Sequence, residues 1–292
     1  MKYSFITQHK NTYPIRLMCQ VLGVDRSCYY HYRRQMDSRP PNPEHEEMLE
    51  WVRRVDDASD HTYGSRRMKR ALNYLGYPVS RNKARNLMRE AEVQVRHRKK
   101  FKVTTNSNHK QPVYDNLLQR QFDVPQPDQV YAADVTYVWT QEGWLYLAVV
   151  IDLCLRKVVG WSMSSRMKSQ LVCDALKMAT WQRRPKAGLI HHSDRGSQYA
   201  SKAFRELLRI NEFKGSMSRK GDCWDNAVVE SFFGSLKQER VQWRNYQTRY
   251  EAQQDILQYI SSWYNPYRLH STLSYVSPND YEKRLLEMKD AA

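Results

Sequence analysis

The spacing of apolar residues changes character near residue 129. Before it, hydrophobic positions recur at helical intervals. After it, they gather into short segments rich in Val, Tyr and Trp. In 13–34, Leu17, Met18, Val21 and Leu22 are spaced for one buried helical face. Gly23 permits a turn, Val24 plugs it, and Arg26-Ser27 opens a second helix, giving a helix-turn-helix pattern. Three prolines in 38–43 mark a linker, and helix resumes from about 44 to 56. A second helical pair follows. Residues 65–75 form one helix, stopped by Gly76-Tyr77-Pro78, and Ser80 caps another that runs to about Glu92. There Ala84, Leu87, Met88 and Ala91 make an apolar face, while Arg81, Arg85 and Arg89 recur every fourth residue as one stripe.

From Gln129 onward, strands are predicted over 130–139, 144–153 and 157–163, with turns at Glu142-Gly143 and Leu155-Arg156. A helix over 169–184, a strand over 188–192, a helix over 201–211, a strand over 213–217 and a helix over 225–240 complete the order βββαβαβα. That order is the one found in ribonuclease-H-like α/β domains, here preceded by all-α helix-turn-helix units. A last helix, 250–263, leads into an aromatic and basic tail. The expected organisation is a helix-turn-helix in 1–37, a second helical unit in 44–102, a linker in 103–128, the α/β domain in 129–245 and a helical, aromatic tail in 246–292.

Charge sharpens this division. Residues 1–110 hold 23 Lys plus Arg against 11 Asp plus Glu, while 111–292 hold 24 against 20. Most of the formal net charge of +16 therefore sits on the helical part. A solvated basic face explains many such runs, but this lopsided excess favours phosphate binding. The candidates are Arg81, Lys83, Arg85 and Arg89 on the striped helix, and Arg98, Lys99 and Lys100 in the run behind it. Five dispersed cysteines without a CxxC pair argue against a disulfide framework and fit a reducing cytoplasm. His9, Cys19, Cys28 and His31 lack zinc-module spacing, and the longest apolar run, 145–151, is far too short to span a bilayer.

Three carboxylates carry the candidate chemistry: Asp134 in YAADVTYV, Asp194 in HHSDRGSQY and Glu230 in WDNAVVESFFGSLK. Each falls on a different element: a strand, a strand end and a helix. Asp134 lies mid-strand among apolar residues, where an unpaired carboxylate is expensive to bury. Hard divalent cations take oxygen ligands, and two of them roughly 3.5–4 Å apart can assist phosphoryl transfer. Taken singly, each acid is more simply read as structural. Lys237 returns to nearly the face of Glu230 seven residues on, well placed for a DNA phosphate. His191 and His192 read as satisfied core histidines, Asp152 as a turn residue, and Asp222 and Asp225 as helix caps. Asn226 could bind substrate or bridge that cap. No serine–histidine–acid arrangement offers a covalent nucleophile.

These three motifs, in this order, resemble the catalytic domain of DDE transposases in the retroviral-integrase superfamily. Within it, the chain is most similar to the second reading frame (OrfB) of two-frame bacterial insertion sequences. The similarity extends to YPIRLMCQVLGVDRSCYY, HTYGSRRM and YNPYRLHSTLSYVSPNDYE. Ser274 stands where such proteins often carry Gly.

The resemblance implies a polynucleotidyl transferase with Asp134, Asp194 and Glu230 as catalytic metal ligands. The implied cofactor is Mg2+, two ions, with Mn2+ able to substitute. Hydrolysis would free a 3′ hydroxyl at an element end, which then attacks DNA without ATP. The family route is copy-out, paste-in, through a bridged figure-eight and a circle. Implied partners are double-stranded DNA with terminal inverted repeats, target DNA, further copies of the chain on DNA, and an upstream-frame protein or fusion. The implied location is the bacterial cytoplasm at the nucleoid, with no membrane. Asn226, Arg268 and His270 are candidate DNA contacts, although Arg268 and His270 could equally pack against the catalytic domain. Two competing readings stay open: a ribonuclease-H-type nuclease without strand transfer, and a DNA-binding repressor with an inert core.

Overall fold

The computed structural model describes residues 1–37, 42–96, 112–219 and 223–290. Their contacts fall into two compact units, Met1–Trp51 and Val52–Ala292. In the first unit, helix α1 (Lys2–His9) precedes the expected pair, α2 (Ile15–Val21) and α3 (Arg26–Asp37). Gly23 takes a left-handed φ of +59° at the turn, and Asp25 caps α3 by accepting from the Ser27 amide at 2.7 Å. The buried face differs from the expected one. Ile6 of α1 and Tyr29 of α3 close on Met18 and Cys19, whereas Leu17 and Val21 remain exposed. Packing against α1 thus rotates the inward face of α2 by about one residue, roughly 100°. Helix α4 (Pro43–Ala58) carries the chain across the division.

The second unit opens with α5 (Ser65–Tyr74) and α6 (Arg81–Glu90). They bury Met68 and Leu72 on one side and Ala84, Leu87 and Met88 on the other. Ser80 caps α6 as predicted, its hydroxyl accepting from the Lys83 amide at 3.1 Å.

The sheet contains β1 (Val130–Thr140), β2 (Gly143–Asp152), β3 (Lys157–Ser164), β4 (Ile190–Ser193) and β5 (Lys214–Met217). Its order is β3-β2-β1-β4-β5, antiparallel from β3 to β1 and parallel from β1 to β5. The helices between and after the strands are α7 (Ser169–Arg183), α8 (Lys202–Ile210) and α9 (Ala227–Glu239). This is the predicted βββαβαβα order, a ribonuclease-H-like fold behind an N-terminal helical region. The period-2 alternation of β1 builds two cores. Tyr131 and Ala133 face Leu176 of α7 and Phe204 of α8, while Val130, Ala132 and Val138 face Val229, Phe232 and Leu236 of α9. Gly160 lets β3 touch α7, since a Cβ there would run into the Ala175 carbonyl and Ala179.

Beyond α9 the chain is more built-in than a tail. Helix α10 (Arg249–Gln258) continues into a π-helical turn, Tyr259–Tyr264, and Tyr259, Ile260 and Tyr264 join the α9-side core. Asn265 then acts as a surrogate strand. Its Oδ1 accepts from the Val158 amide at 3.1 Å and its Nδ2 donates to the Val158 carbonyl at 2.9 Å, covering the outer edge of β3. Ser274 adopts a left-handed φ of +57°, which explains why glycine suits that position. A further helix, α11 (Pro278–Asp290), lies beyond the predicted elements. Part of the expected linker also packs: Leu118 is buried, and the Leu117 amide donates to Ser216 Oγ at 2.9 Å. Among the described residues no helix is long and apolar enough to cross a membrane.

Candidate active site

Strand register brings the first two acids together. Strands β1 and β4 run parallel with Ala133 opposite Ser193, so the next residues, Asp134 and Asp194, occupy neighbouring places on adjacent strands. Asp194 lies just past the end of β4, where its Oδ1 accepts from the Gly196 amide at 2.9 Å. Arg195 fixes the same turn by donating from Nε to the Ser218 carbonyl at 2.7 Å.

Helix α9 lies along β1. At its start, Asn226 donates from Nδ2 to the Ala133 carbonyl at 3.2 Å. Near its end, the Lys237 ammonium sits 5.1 Å from the centre of the Tyr137 ring. Glu230 is one turn after Asn226, on the side of α9 that also carries Lys237. Asp134 therefore faces like charge from two elements. Burial, then the Asp194 charge, then Glu230 raise its carboxyl well above the usual range, against the Val135 amide and Lys237. Glu230 is exposed as a residue, and partial burial of its carboxyl raises it too. Burial lowers Lys237 to about 8, although Asp134 opposes that shift.

The site is electrostatically joined but open. Among the described residues, one trio of ligand-type atoms lies mutually within 4.8 Å: Asp56, Asp57 and His61. The carboxylates of Asp134, Asp194 and Glu230 are thus not drawn into a closed shell. Their chemistry nevertheless fits a hard divalent cation: three oxygen donors whose mutual repulsion a cation would relieve. Asn226 Oδ1, buried and without a hydrogen-bond partner, lies on the same stretch of β1.

Other predicted residues divide by burial. Arg81, Lys83, Arg85 and Arg89 are all exposed on α6, away from its apolar face. Arg98, Lys99, Lys100 and Asp222 lie outside the described residues. Arg268 is not available to DNA. It is buried, and its guanidinium reaches Glu239 through Nε and Nη2 at 2.6–2.9 Å. His270 is half-buried beside Arg268 and Tyr264. Burial and the Arg268 charge lower it to about 3, and its Nδ1 pairs with Thr272 Oγ1 at 2.9 Å. Asn226, at the start of α9, is buried against β1 and makes no side-chain bond to the cap; its amide ties the helix to the Ala133 carbonyl instead. Asp225 is no simple cap. Hydrogen bonds from Arg219, with help from Arg120, outweigh its burial and hold its carboxyl well below the usual range. His191 and His192 are buried and lowered to about 3 and about 4, chiefly by burial. His192 is held by Ser216 and Ser218 at 2.9 and 3.2 Å. Asp152 is the expected turn residue, its Oδ1 accepting from the Leu155 amide at 2.9 Å.

Two features escaped sequence reasoning. Tyr199, inside the HHSDRGSQY motif, buries a hydroxyl with no hydrogen-bond partner, raised by burial and by the charges of Asp134 and Asp194. Glu239 forms a buried network with Arg268 and Tyr259, and no local periodicity announces a pair 29 residues apart.

Integrase core domain models match residues 124–223 and 230–286, and an HTH-like domain model matches 43–101. The chain is 42% identical over 271 residues to the insertion element IS600 uncharacterized 31 kDa protein of Shigella sonnei, covering 93% of this chain and 99% of that protein. It is 40% identical over 289 residues to the transposase InsF for insertion sequence IS3A of Escherichia coli (strain K12), covering 98% and 100%. Among solved structures, the HTLV-2 integrase catalytic core domain in complex with magnesium (trimeric form) aligns with 54% of this chain and 97% of its own, at 17% identity and a TM-score of 0.42. The BIV integrase catalytic core aligns with 56% and 98%, at 13% identity and a TM-score of 0.41.

Proposed function

We propose that this chain, which belongs to the insertion-sequence transposases with an integrase core, holds divalent ions on Asp134, Asp194 and Glu230 to cut and join DNA strands. The observation that carries the reading is the register of β1 and β4. It sets Asp134 beside Asp194, while α9 brings Glu230 and Lys237 alongside the same strand.

Each residue has a distinct part. Asp134, Asp194 and Glu230 are the ligands, and magnesium is the ion their oxygens suit best, with two ions per site and manganese able to substitute. Ions bound there supply charge stabilisation for an in-line displacement at phosphorus and acidify the attacking hydroxyl. Lys237, buried beside Tyr137 and close enough to act on Asp134, is the cation that meets a DNA phosphate brought to the acids. His191 and His192 are buried, burial lowers both, and they serve as core residues behind Asp194. The nucleophiles are water in the first step and a DNA 3′ hydroxyl in the second. Arg81, Lys83, Arg85 and Arg89 bind the duplex backbone from the HTH-like region, which keeps the DNA engaged between the steps. The wider cycle is copy-out, paste-in on inverted-repeat ends in the cytoplasm, with several copies of the chain assembled on DNA and an upstream-frame partner or fusion.

A DNA end that already carries a free 3′ hydroxyl separates the readings. Incubated with target DNA and magnesium, the wild-type chain should give joined products. Cutting without joining would favour the nuclease reading, and binding without either would favour the repressor.

A further inference from the structure

Glu230 and Glu239 share α9 but face opposite ways. Nine residues at about 100° each come to about two and a half turns, so Glu239 points away from the acid site. What holds Glu239 therefore sets the rotation of the helix that presents Glu230. Arg268 grips both Glu239 oxygens and also donates from Nη2 to Ser235 Oγ at 2.9 Å, one turn earlier on α9. Tyr259 adds a hydroxyl donor to Glu239 at 2.7 Å. One further cation in this network comes from the HTH-like region. Arg67 of α5 places Nη1 4.0 Å from Glu239 Oε1 and donates from Nε to the Leu269 carbonyl at 3.1 Å. Tyr63 strengthens the same seam, its hydroxyl accepting from the Leu269 amide at 2.8 Å.

We propose that Arg67 is a positioning residue: by holding Glu239 it fixes α9 on β1, so that the helical region bearing the arginine stripe sets the position of Glu230. The proposal rests on the reading of Asp134, Asp194 and Glu230 as metal ligands. Small rotations matter here. Turning α9 by about 20° would carry a side chain at a radius of 5–6 Å through about 2 Å, several times the tolerance of roughly 0.5 Å for ligand constellations. At its other end α9 is tied to β1 by the Asn226 amide at 3.2 Å. The Glu239 network is thus the second fixed point; Arg67 joins it from α5, and α5 packs directly on α6, where the stripe lies. DNA held by the stripe and the third ligand of the acid site become parts of one rigid path.

The test compares Arg67→Ala, Arg67→Lys and Tyr63→Phe with the wild type. Calorimetric titration with Mn2+ measures the component of binding that Glu230→Gln abolishes, and gel shift measures DNA affinity. Arg67→Ala should weaken that Mn2+ component about tenfold, because a small turn of α9 carries Glu230 beyond the roughly 0.5 Å tolerance of a ligand set. Its DNA affinity should stay within about twofold, because Arg67 lies outside the stripe that releases counterions. Arg67→Lys should recover part of the loss. Tyr63→Phe gives up its Leu269 contact but leaves the Glu239 cations in place, and should bind Mn2+ as the wild type does. Wild-type Mn2+ affinity in folded Arg67→Ala overturns the proposal, as does an equal loss in Tyr63→Phe. Should Arg67→Ala fail to fold, Arg67→Lys decides: weakened Mn2+ binding supports the proposal and unchanged binding overturns it. A wild-type chain with no Glu230-dependent Mn2+ component is a different result. It refutes the acid-site reading, and the positioning role falls with it.

Discussion

The two ends of α9 carry one glutamate each, and the two are treated in opposite ways. Glu239 is 3% exposed. Burial alone would raise its carboxyl, but the charge and hydrogen bonds of Arg268 reverse that and leave it lowered. Glu230 is exposed, its carboxyl is raised, and its charge adds to those already pressing on Asp134. The protein thus neutralises one acid with its own cations and gathers the other with like charges. The first arrangement is a structural anchor. The second is destabilising unless a cation arrives from outside, which is how a binding site differs from a core ion pair.

Substitutions at the two positions should therefore fail differently. The largest effect is expected for Glu230→Gln. It keeps the side-chain size and removes the charge of the proposed ligand, so cleavage and joining should fall by several orders of magnitude. DNA affinity by gel shift should be unaltered. Joining at the wild-type rate would break the comparison outright. Glu239→Gln should act on the fold instead, because it strands the buried Arg268 guanidinium. Removing one partner of such a pair costs about 3–5 kcal/mol, measurable by urea denaturation. A variant as stable as the wild type would mean that Glu239 is no anchor.

Sequence spacing exposed one of these glutamates and hid the other, for physical reasons. Asp134, Asp194 and Glu230 stand in dense local motifs, and the stripe of Arg81, Arg85 and Arg89 follows from helical periodicity alone. Glu239–Arg268 and Asn265–Val158 are pairings between distant segments, decided by packing that no local rhythm encodes. For the same reason the sequence leaves Arg268 open between DNA contact and packing, and only the structure shows it buried on Glu239. The inward face of α2 differs from the expected one because α1, which supplies Ile6, gives no signal in the sequence pattern. The closeness of Asp134 to Asp194 required the parallel register of β1 and β4.

Smaller effects sharpen the contrast. Asp134 has a folded-state carboxyl raised above its unfolded value, so its contribution to stability is present at low pH and is lost as pH rises through the folded value. Asp134→Asn should accordingly melt a few degrees higher than the wild type at neutral pH, by calorimetry without divalent ions. A lower melting point would show that the acid site is not strained. His191, His192 and His270 work in the other direction. Their folded values of about 3 to about 4 lie below the unfolded 6.5. Their contribution is complete above pH 6.5 and drains as pH falls toward 4, so melting temperature should drop across that window. A flat profile there would remove the case for buried neutral imidazoles. The mildest change should come from the triple substitution of Arg81, Arg85 and Arg89 by Ala. It should leave the fold intact and reduce the slope of log affinity against log salt by about 2–3.

The most direct test is to locate the cation. Crystals of the full chain equilibrated with Mn2+ give its position by anomalous scattering. The account expects density bounded by the carboxylates of Asp134, Asp194 and Glu230, with Glu239 still held by Arg268. Manganese confined to Asp56, Asp57 and His61, with none at the three acids, would contradict it.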